Sequence, residues 1–182
     1  MATMQKRKVL IAECEPDFIG IAEGALQDGY EVSVAGSRKE GLEEAKRSSP
    51  DLAIIGYLEP RGDSFKLHED LRECFVTRHI PLLVVDVSPE EHARKGWRRF
   101  EGTRMNAEAY LTRPLECAEL REEVERVLET VAAEAIDSKE VLEQIDSVLK
   151  RVERIEKALG SQMLGEQAKR NAVQAPGAQP GA

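Results

Sequence analysis

Short aliphatic runs alternate with amphipathic stretches from residue 8 to about residue 115, and turn residues separate them. Each run is apolar at consecutive positions, which is typical of a strand buried on both faces of a sheet. The predicted strands are residues 9–12, 30–35, 52–55, 80–85 and 109–112. Between them apolar residues recur at helical spacing, as at Phe18, Ala22 and Leu26. The alternation predicts an α/β fold with a doubly wound, five-stranded parallel sheet.

A charged, periodic sequence replaces this alternation after about residue 116, and neither glycine nor proline occurs again before Gly160. Apolar residues there follow steps of four and three, the a/d pattern of a coiled coil. The positions are Val141, Ile145, Val148, Val152, Ile155 and Leu159. We predict a coiled-coil helix that joins copies of the chain into a homo-oligomer. Two alternatives stay open, a helix that folds back on the domain and one that binds another protein's helix. The β-branched d positions leave the number of helices open.

These patterns divide the chain into four parts. Residues 1–7 form an N-terminal tail, residues 8–130 the α/β domain and residues 131–160 the helical extension. Residues 161–182 are predicted to be a disordered tail, because no large apolar residue follows Val173 and the end is rich in alanine, glycine, proline and glutamine.

Composition narrows the classes of partner. The 182 residues carry a net charge of -8, which argues against binding of nucleic acid through a broad basic face. No apolar run reaches the roughly 18 residues of a membrane span, and the short apolar stretch after the basic start stops at Glu13. The cysteines, Cys14, Cys74 and Cys117, are odd in number and widely spaced, which favours reduced thiols in the cytoplasm.

Several segments of the first 130 residues match a known family in order and spacing. They are residues 9–17, 29–32, 50–56, 60–65, 80–85 and 109–114. Over roughly residues 7–130 the chain resembles the receiver domain of two-component response regulators. The resemblance implies a flavodoxin-like receiver fold, in which functional residues lie at the carboxyl ends of the strands.

The resemblance also implies a role for each residue at those strand ends, and this sequence departs from most of them. The metal-binding acidic pair of the family falls on Glu13 and Cys14, and its phosphate-accepting aspartate falls on Gly56. The hydroxyl residue after the fourth strand falls on Asp86, and the lysine after the fifth falls on Arg113. A thiol is a poor ligand for Mg²⁺, and glycine has no side chain to phosphorylate. We therefore predict a degenerate pseudo-receiver.

We expect Glu13, Asp86 and Arg113 to converge at one end of the sheet. One hypothesis is a permanent ion-pair cluster that replaces the phosphate and metal of the family. The alternative is a set of solvated charges that contribute little free energy. Tyr110 matches the aromatic switch position of the family.

Basic and aromatic residues cluster between the fourth and fifth predicted strands, on the side that serves as the output face in the resembled family. We predict that this cluster docks a protein partner, possibly an acidic one, since tryptophan and arginine dominate binding hot spots. It comprises Arg94, Lys95, Trp97, Arg98, Arg99 and Phe100. The alternative is that the aromatic residues pack under the local helix and the arginines are solvated.

No nucleophile elbow, phosphate-binding loop or metal-ligand spacing occurs, so we predict no enzyme activity, no cofactor and no metal. The sequence favours an adaptor or scaffold that acts through protein–protein interaction without phosphorylation, in a bacterial signalling or cell-organisation pathway, and that binds neither nucleic acid nor membrane. One alternative is a regulator switched by a ligand or by redox chemistry at Cys14. Another is a transcription regulator, although no helix-turn-helix sequence follows the domain.

Overall fold

A computed structural model describes residues 6–97, 101 and 104–173, and describes side chains as far as residue 157. Its strands are β1 (Lys8–Ala12), β2 (Glu31–Ala35), β3 (Leu52–Ile55), β4 (Leu82–Asp86) and β5 (Ala109–Thr112). The helices whose bounds fall within the described residues are α1 (Pro16–Leu26), α2 (Arg38–Ser48), α3 (Asp63–Glu73), α4 (His92–Lys95) and α5 (Cys117–Val173).

The strands form one parallel sheet in the order β2-β1-β3-β4-β5. This is the second common order of doubly wound folds, with its topological switch between β1 and β3. The predicted fold class is confirmed. Because every strand points the same way, the residues that follow β1, β3, β4 and β5 meet at one edge of the sheet.

Apolar side chains cover both faces of the sheet, which explains why the strands read as continuous aliphatic runs. On one face, α1 and the first turns of α5 pack over Val9, Ile11, Leu52 and Ile54. On the other, α2 and α3 pack over the alternate residues of the same strands, which include Leu10, Ala12, Ala53 and Ile55.

Helix starts follow local sequence signals. Pro16 occupies the first turn of α1, where its missing N–H is not needed. Ser37 caps α2, and its hydroxyl accepts a hydrogen bond of 3.3 Å from the backbone N–H of Glu40. The sequence predicts a helix over residues 89–101 that is broken or ended near Gly96 or Gly102, and α4 stops just before Gly96. It ends after Lys95 because Gly96 adopts an extended conformation.

Contacts divide the chain into two compact units, one ending at Ala132 and the other beginning at Ala133. In the second unit, the side chains of the predicted a and d positions from Val141 to Ile155 are 44% to 58% exposed. The side chain of Leu159 lies outside the described residues. The helix continues past Gly160 to Val173, whereas the sequence predicts its end near residue 160. Residues 174–182 of the predicted tail lie outside the described residues.

Over the part of the chain that the structure describes, no helix combines the length and apolar character needed to cross a membrane.

Candidate functional site

The carboxylate of Glu13 lies fully buried at the end of β1, with 0% of the residue exposed. Its Oε1 accepts hydrogen bonds of 2.8 Å from the backbone N–H groups of Cys14 and Glu15. Its Oε2 accepts one of 2.9 Å from the N–H of Tyr57, just after β3. A buried charge is tolerated only when it is paired and hydrogen-bonded, and three backbone donors meet part of that need.

Arg113 supplies the opposing charge from the end of β5. One amino group of its guanidinium contacts Oε2 of Glu13, and the other donates to Oε2 of Glu15 at 2.6 Å. The guanidinium carbon also lies 4.0 Å from the ring centroid of Phe18, a cation–π geometry. Only 12% of the Arg113 side chain is exposed. The two amino groups of the guanidinium therefore bind the carboxylates of Glu13 and Glu15 in a partly desolvated setting, where ion pairs are strong.

Gly56 leaves the space that the Glu13 carboxylate fills. A Cβ atom added there would overlap Oε2 of Glu13 and would lie 3.1 Å from its Cδ and 3.0 Å from Nη2 of Arg113. The Ser64 hydroxyl fixes the Gly56 backbone by donating to its carbonyl at 2.7 Å and accepting from the N–H of Leu58 at 2.9 Å. The glutamate, the glycine and the arginine thus form one closely packed set.

Opposing effects act on the proton affinity of Glu13. Burial raises the pKa of its carboxyl group above the ordinary 4.5, and this is the largest effect. The Arg113 guanidinium and the N–H groups of Glu15 and Tyr57 act in the opposite direction.

A second group of charges continues from Glu15 across to α4. The amino group of Lys95 contacts Oε1 of Glu15 and lies 2.6 Å from Oε1 of Glu91. These two carboxylates raise the pKa of Lys95. The same amino group stands 5.5 Å from the ring centroid of Tyr57. The charges of the β1, α4 and β5 ends therefore form one continuous network.

Asp86, at the end of β4, pairs with α4 rather than with the arginine. Its Oδ2 lies 3.2 Å from Nε2 of His92, and its Oδ1 accepts from the N–H of Val87 at 2.8 Å. Burial raises the pKa of Asp86, and the Val87 N–H opposes this shift. The second carboxylate on Arg113 is Glu15, where the sequence prediction had Asp86.

The residues of this pocket do not fit Mg²⁺, which the resembled family binds at the corresponding place. Mg²⁺ needs several oxygen ligands in octahedral geometry. Both oxygens of Glu13 already accept hydrogen bonds, the Arg113 guanidinium stands against them, and position 14 offers a thiol. Among the described residues, no group of three or more His, Cys, Asp or Glu side chains is arranged to hold a metal ion.

The thiols differ in their environments. Burial and the neighbouring Glu13 carboxylate raise the pKa of Cys14, which lowers the fraction of reactive thiolate. Cys74, which follows α3, is the opposite case, because hydrogen bonds from the Thr77 side chain and nearby backbone lower its pKa. Sequence reasoning did not single out Cys74.

The predicted docking residues lie in different environments. Lys95 is half-buried in the charge network, and Arg94 is exposed beside Glu91, with 3.4 Å between their charged atoms. Trp97 is half-buried and packs against a small cluster that contains Phe65. Arg98, Arg99 and Phe100 lie outside the described residues. For Trp97, these contacts favour the alternative in which its side chain packs within the domain and does not dock a partner.

Tyr110, the predicted switch aromatic, is half exposed and anchored. Its hydroxyl donates to the carbonyl of Met105 at 2.7 Å and accepts from the N–H of Ala107 at 3.1 Å.

A cleft of about 440 Å³ opens beside the charge network, within the first unit. Lys95 and Arg113 contribute polar groups to its wall, and Phe18, Ile21 and Leu115 contribute apolar ones. A mixed apolar and polar lining is typical of small-ligand sites.

Sequence reasoning missed Glu15, Glu91 and His92 as members of the network. Two signals were present: Glu15 stands two positions after Glu13, and Glu91 and Lys95 have the i, i+4 spacing of a helical ion pair. The contact between His92 and Asp86 joins two different elements, and no spacing rule indicates it.

Two curated regulators are similar to this chain. The "Probable transcriptional regulator ycf27" of Porphyridium aerugineum is 28% identical over 133 residues, which cover 70% of this chain and 50% of that protein. The phosphate regulon transcriptional regulatory protein PhoB of Escherichia coli (strain K12) is 24% identical over 138 residues, which cover 75% of this chain and 57% of PhoB. The chain spans about half the length of these curated relatives.

Solved structures show the same fold. A protein described as "a putative response regulator from Chloroflexus aurantiacus J-10-fl" matches with a TM-score of 0.59 and 27% identity, covering 69% of this chain and 99% of that one. The chemotaxis protein CheY4 of Vibrio cholerae matches with a TM-score of 0.55 and 25% identity, covering 67% of this chain and 98% of that one. No protein-family model matches the chain. Together these similarities show that the chain resembles the receiver domains of response regulators, and the flavodoxin-like receiver fold predicted from the sequence is confirmed.

Proposed function

We propose that the protein is a receiver-like adaptor that works without phosphorylation, through protein–protein interaction and oligomerisation, in bacterial signalling or cell organisation. One observation carries the proposal. The buried Glu13 carboxylate and the Arg113 guanidinium fill the space beside Gly56, where the resembled family has its phosphate acceptor.

The charge network supports a fixed state of the domain. Direct ion pairs join Arg113 after β5, Glu13 and Glu15 after β1, and Lys95 on α4. Rearranging these segments would leave buried charges unpaired, which is costly. The domain therefore presents one constant surface to a partner.

The exposed a and d residues of α5 from Val141 to Ile155 form an apolar stripe, which supports the oligomerisation part of the proposal. Large apolar side chains at heptad positions are rarely left in water, and linked copies of a weakly binding domain gain avidity. The unpaired cysteines favour the cytoplasm as the compartment. We propose protein rather than nucleic acid or membrane as the partner, in keeping with the acidic composition.

Intact-mass spectrometry after treatment with acetyl phosphate and Mg²⁺ tests the proposed inactivity as a phosphate acceptor. We expect no phosphoryl adduct on the full chain, while a receiver domain that carries the acceptor aspartate and is treated in parallel gains one. A stoichiometric adduct that hydroxylamine removes would show an acyl phosphate and would overturn the proposal.

Affinity capture from native extract tests the adaptor role. The full chain is compared with Val148→Asp/Val152→Asp, which disrupts the apolar stripe, and with Arg94→Glu, which reverses an exposed charge on α4. A partner lost only with Arg94→Glu would place recognition on the α/β domain, and one lost only with the stripe variant would place it on α5. A chain that captures the same proteins as an unrelated acidic protein would contradict the adaptor role.

The cleft beside Arg113 favours one second candidate, a regulator switched by a small ligand. Redox switching at Cys14 has less support, because its pKa is raised. Trp97 fluorescence during titration with metabolite pools tests the ligand, and a saturable change that Ile21→Phe abolishes by filling the cleft would favour this candidate.

A further inference from the structure

We propose that α5 binds further copies of this chain through the stripe at residues 141–159, with the helices parallel and in register. The inference rests on the oligomerisation part of the proposed function and specifies its geometry. The structure shows one uninterrupted helix from Cys117 to Val173, so this segment cannot turn back to cover itself. The stripe residues from Val141 to Ile155 are 44% to 58% exposed.

The stripe is wider than a two-helix seam. With Ile145 and Val152 as a positions and Val148 and Ile155 as d positions, Leu149 falls at an e position, as does the exposed Leu142. An apolar face that includes a, d and e positions suits a bundle of several helices. The d positions are all β-branched, which also favours three or four parallel helices over two.

Charges beside the stripe fit a second copy of the same chain. In this frame Arg151 is a g position and Glu156 is the following e position. Parallel helices in register bring each g residue against the e residue five positions later on the neighbouring helix. Arg151 of one copy thus meets Glu156 of the next at every interface, and the other g and e positions from 142 to 158 carry no charge. The surface is complementary to itself.

Antiparallel pairing fits the same charges poorly. The alignment that keeps the whole stripe in contact sets Val148 opposite Val152 and Ile145 opposite Ile155 of the second helix. Antiparallel helices bring g positions against g positions. Arg151 would then face its own copy, a like-charge contact, and Glu156 would face the apolar Leu142. The observed charges favour the parallel arrangement because it alone pairs them.

A charge-swap cycle on the full chain tests the orientation. Arg151→Glu and Glu156→Arg each place like charges together at every parallel interface, so we expect each to raise the concentration of half-dissociation by about tenfold. The double variant Arg151→Glu/Glu156→Arg restores opposite charges and should recover most of the loss. Sedimentation equilibrium supplies the measurement. Arg154→Glu, at an outward c position, is the matched control and should leave the assembly unchanged.

Cysteine cross-linking tests the register independently. Ser138→Cys lies at an a position one heptad before Ile145, so parallel helices in register place two such thiols together. We expect a disulfide-linked dimer on oxidation, over the background of the unchanged chain. Ser147→Cys, at an outward c position, is the control and should stay at background.

The outcomes separate this inference from the proposed function. An oligomer that is indifferent to the charge swaps, without the Ser138→Cys cross-link, would overturn the parallel arrangement and leave the adaptor proposal intact. A monomeric full chain at micromolar concentration would overturn both the inference and the oligomerisation part. A phosphoryl adduct would overturn the proposed function alone.

Discussion

Oε2 of Glu13 occupies the position that a side chain on residue 56 would need, and Gly56 is the residue that leaves this position open. We expect Gly56→Ala to lower the free energy of unfolding by about 1–3 kcal/mol, because the added methyl group must displace a buried, hydrogen-bonded carboxylate. Urea unfolding followed by circular dichroism measures the loss.

Two further variants test this cause. Gly20→Ala adds a methyl group at an exposed position of α1 with no atom within 4 Å, so it should be neutral or slightly stabilising. Glu13→Asp combined with Gly56→Ala shortens the acid and should destabilise less than the sum of the two single changes. Strict additivity would contradict the proposed steric coupling.

Arg113→Ala should be among the most destabilising polar substitutions, at about 3 kcal/mol, because it leaves the buried Glu13 carboxylate without its counter-charge. Arg113→Lys keeps the charge but loses the fork that spans two carboxylates, and we expect an intermediate loss. Thermal unfolding measures both. Arg126→Ala removes an exposed pair with Glu123 and should change stability by less than about 1 kcal/mol. A similarly small effect for Arg113→Ala would mean that the cluster is only solvated charge.

The raised pKa of Glu13 predicts how its contribution to stability varies with pH. The folded state binds the proton more tightly than the unfolded state, so the contribution is fully present below the ordinary pKa of 4.5 and is lost as pH rises through the folded pKa. Relative to Glu13→Gln, the unchanged protein should therefore lose stability as the pH rises above 4.5. Urea unfolding of both proteins across this range measures the difference. A difference that grows with pH would show that Arg113 and the backbone donors outweigh burial.

We expect the thiol of Cys74 to be alkylated faster than the thiol of Cys14. Hydrogen bonds from Thr77 lower the pKa of the first thiol, whereas burial raises that of the second. Timed alkylation with iodoacetamide at neutral pH, followed by peptide mass spectrometry, measures the two rates. Thr77→Ser retains the hydroxyl and should preserve the order. Faster modification of Cys14 than of Cys74 would contradict this order and would favour the alternative of redox switching at Cys14.

The fold could be predicted from the sequence because each strand is indicated by a local pattern of residues. Consecutive aliphatic residues such as Leu52–Ile55 predict a strand buried on both faces, and the structure places that strand in the centre of the sheet. Helix α4 ends at Gly96, one of the two glycines near which the sequence predicts a break.

The sequence predicted which strand ends form the site, but not the contacts within it. The parallel sheet brings the residues after β1, β3, β4 and β5 together, so Glu13, Gly56 and Arg113 could be expected near one another. Which side chains form ion pairs with one another could not be predicted, because this depends on the length and orientation of each side chain. Arg113 pairs with Glu15, and Asp86 pairs with His92 across a loop.

Helix α4 is held in place by polar and charged contacts, so its attachment to the domain depends on the salt concentration. None of its four residues is buried, and it is held through His92 on Asp86, Lys95 on Glu15, and Arg61, whose guanidinium donates to the carbonyls of Ala93 and Gly96 at 3.0 Å. Attractions between partly exposed charges weaken as dissolved ions screen them, whereas apolar packing does not. Salt should therefore loosen this turn before it affects the sheet. The ionic strength of the surroundings then sets how firmly this face of the protein is held.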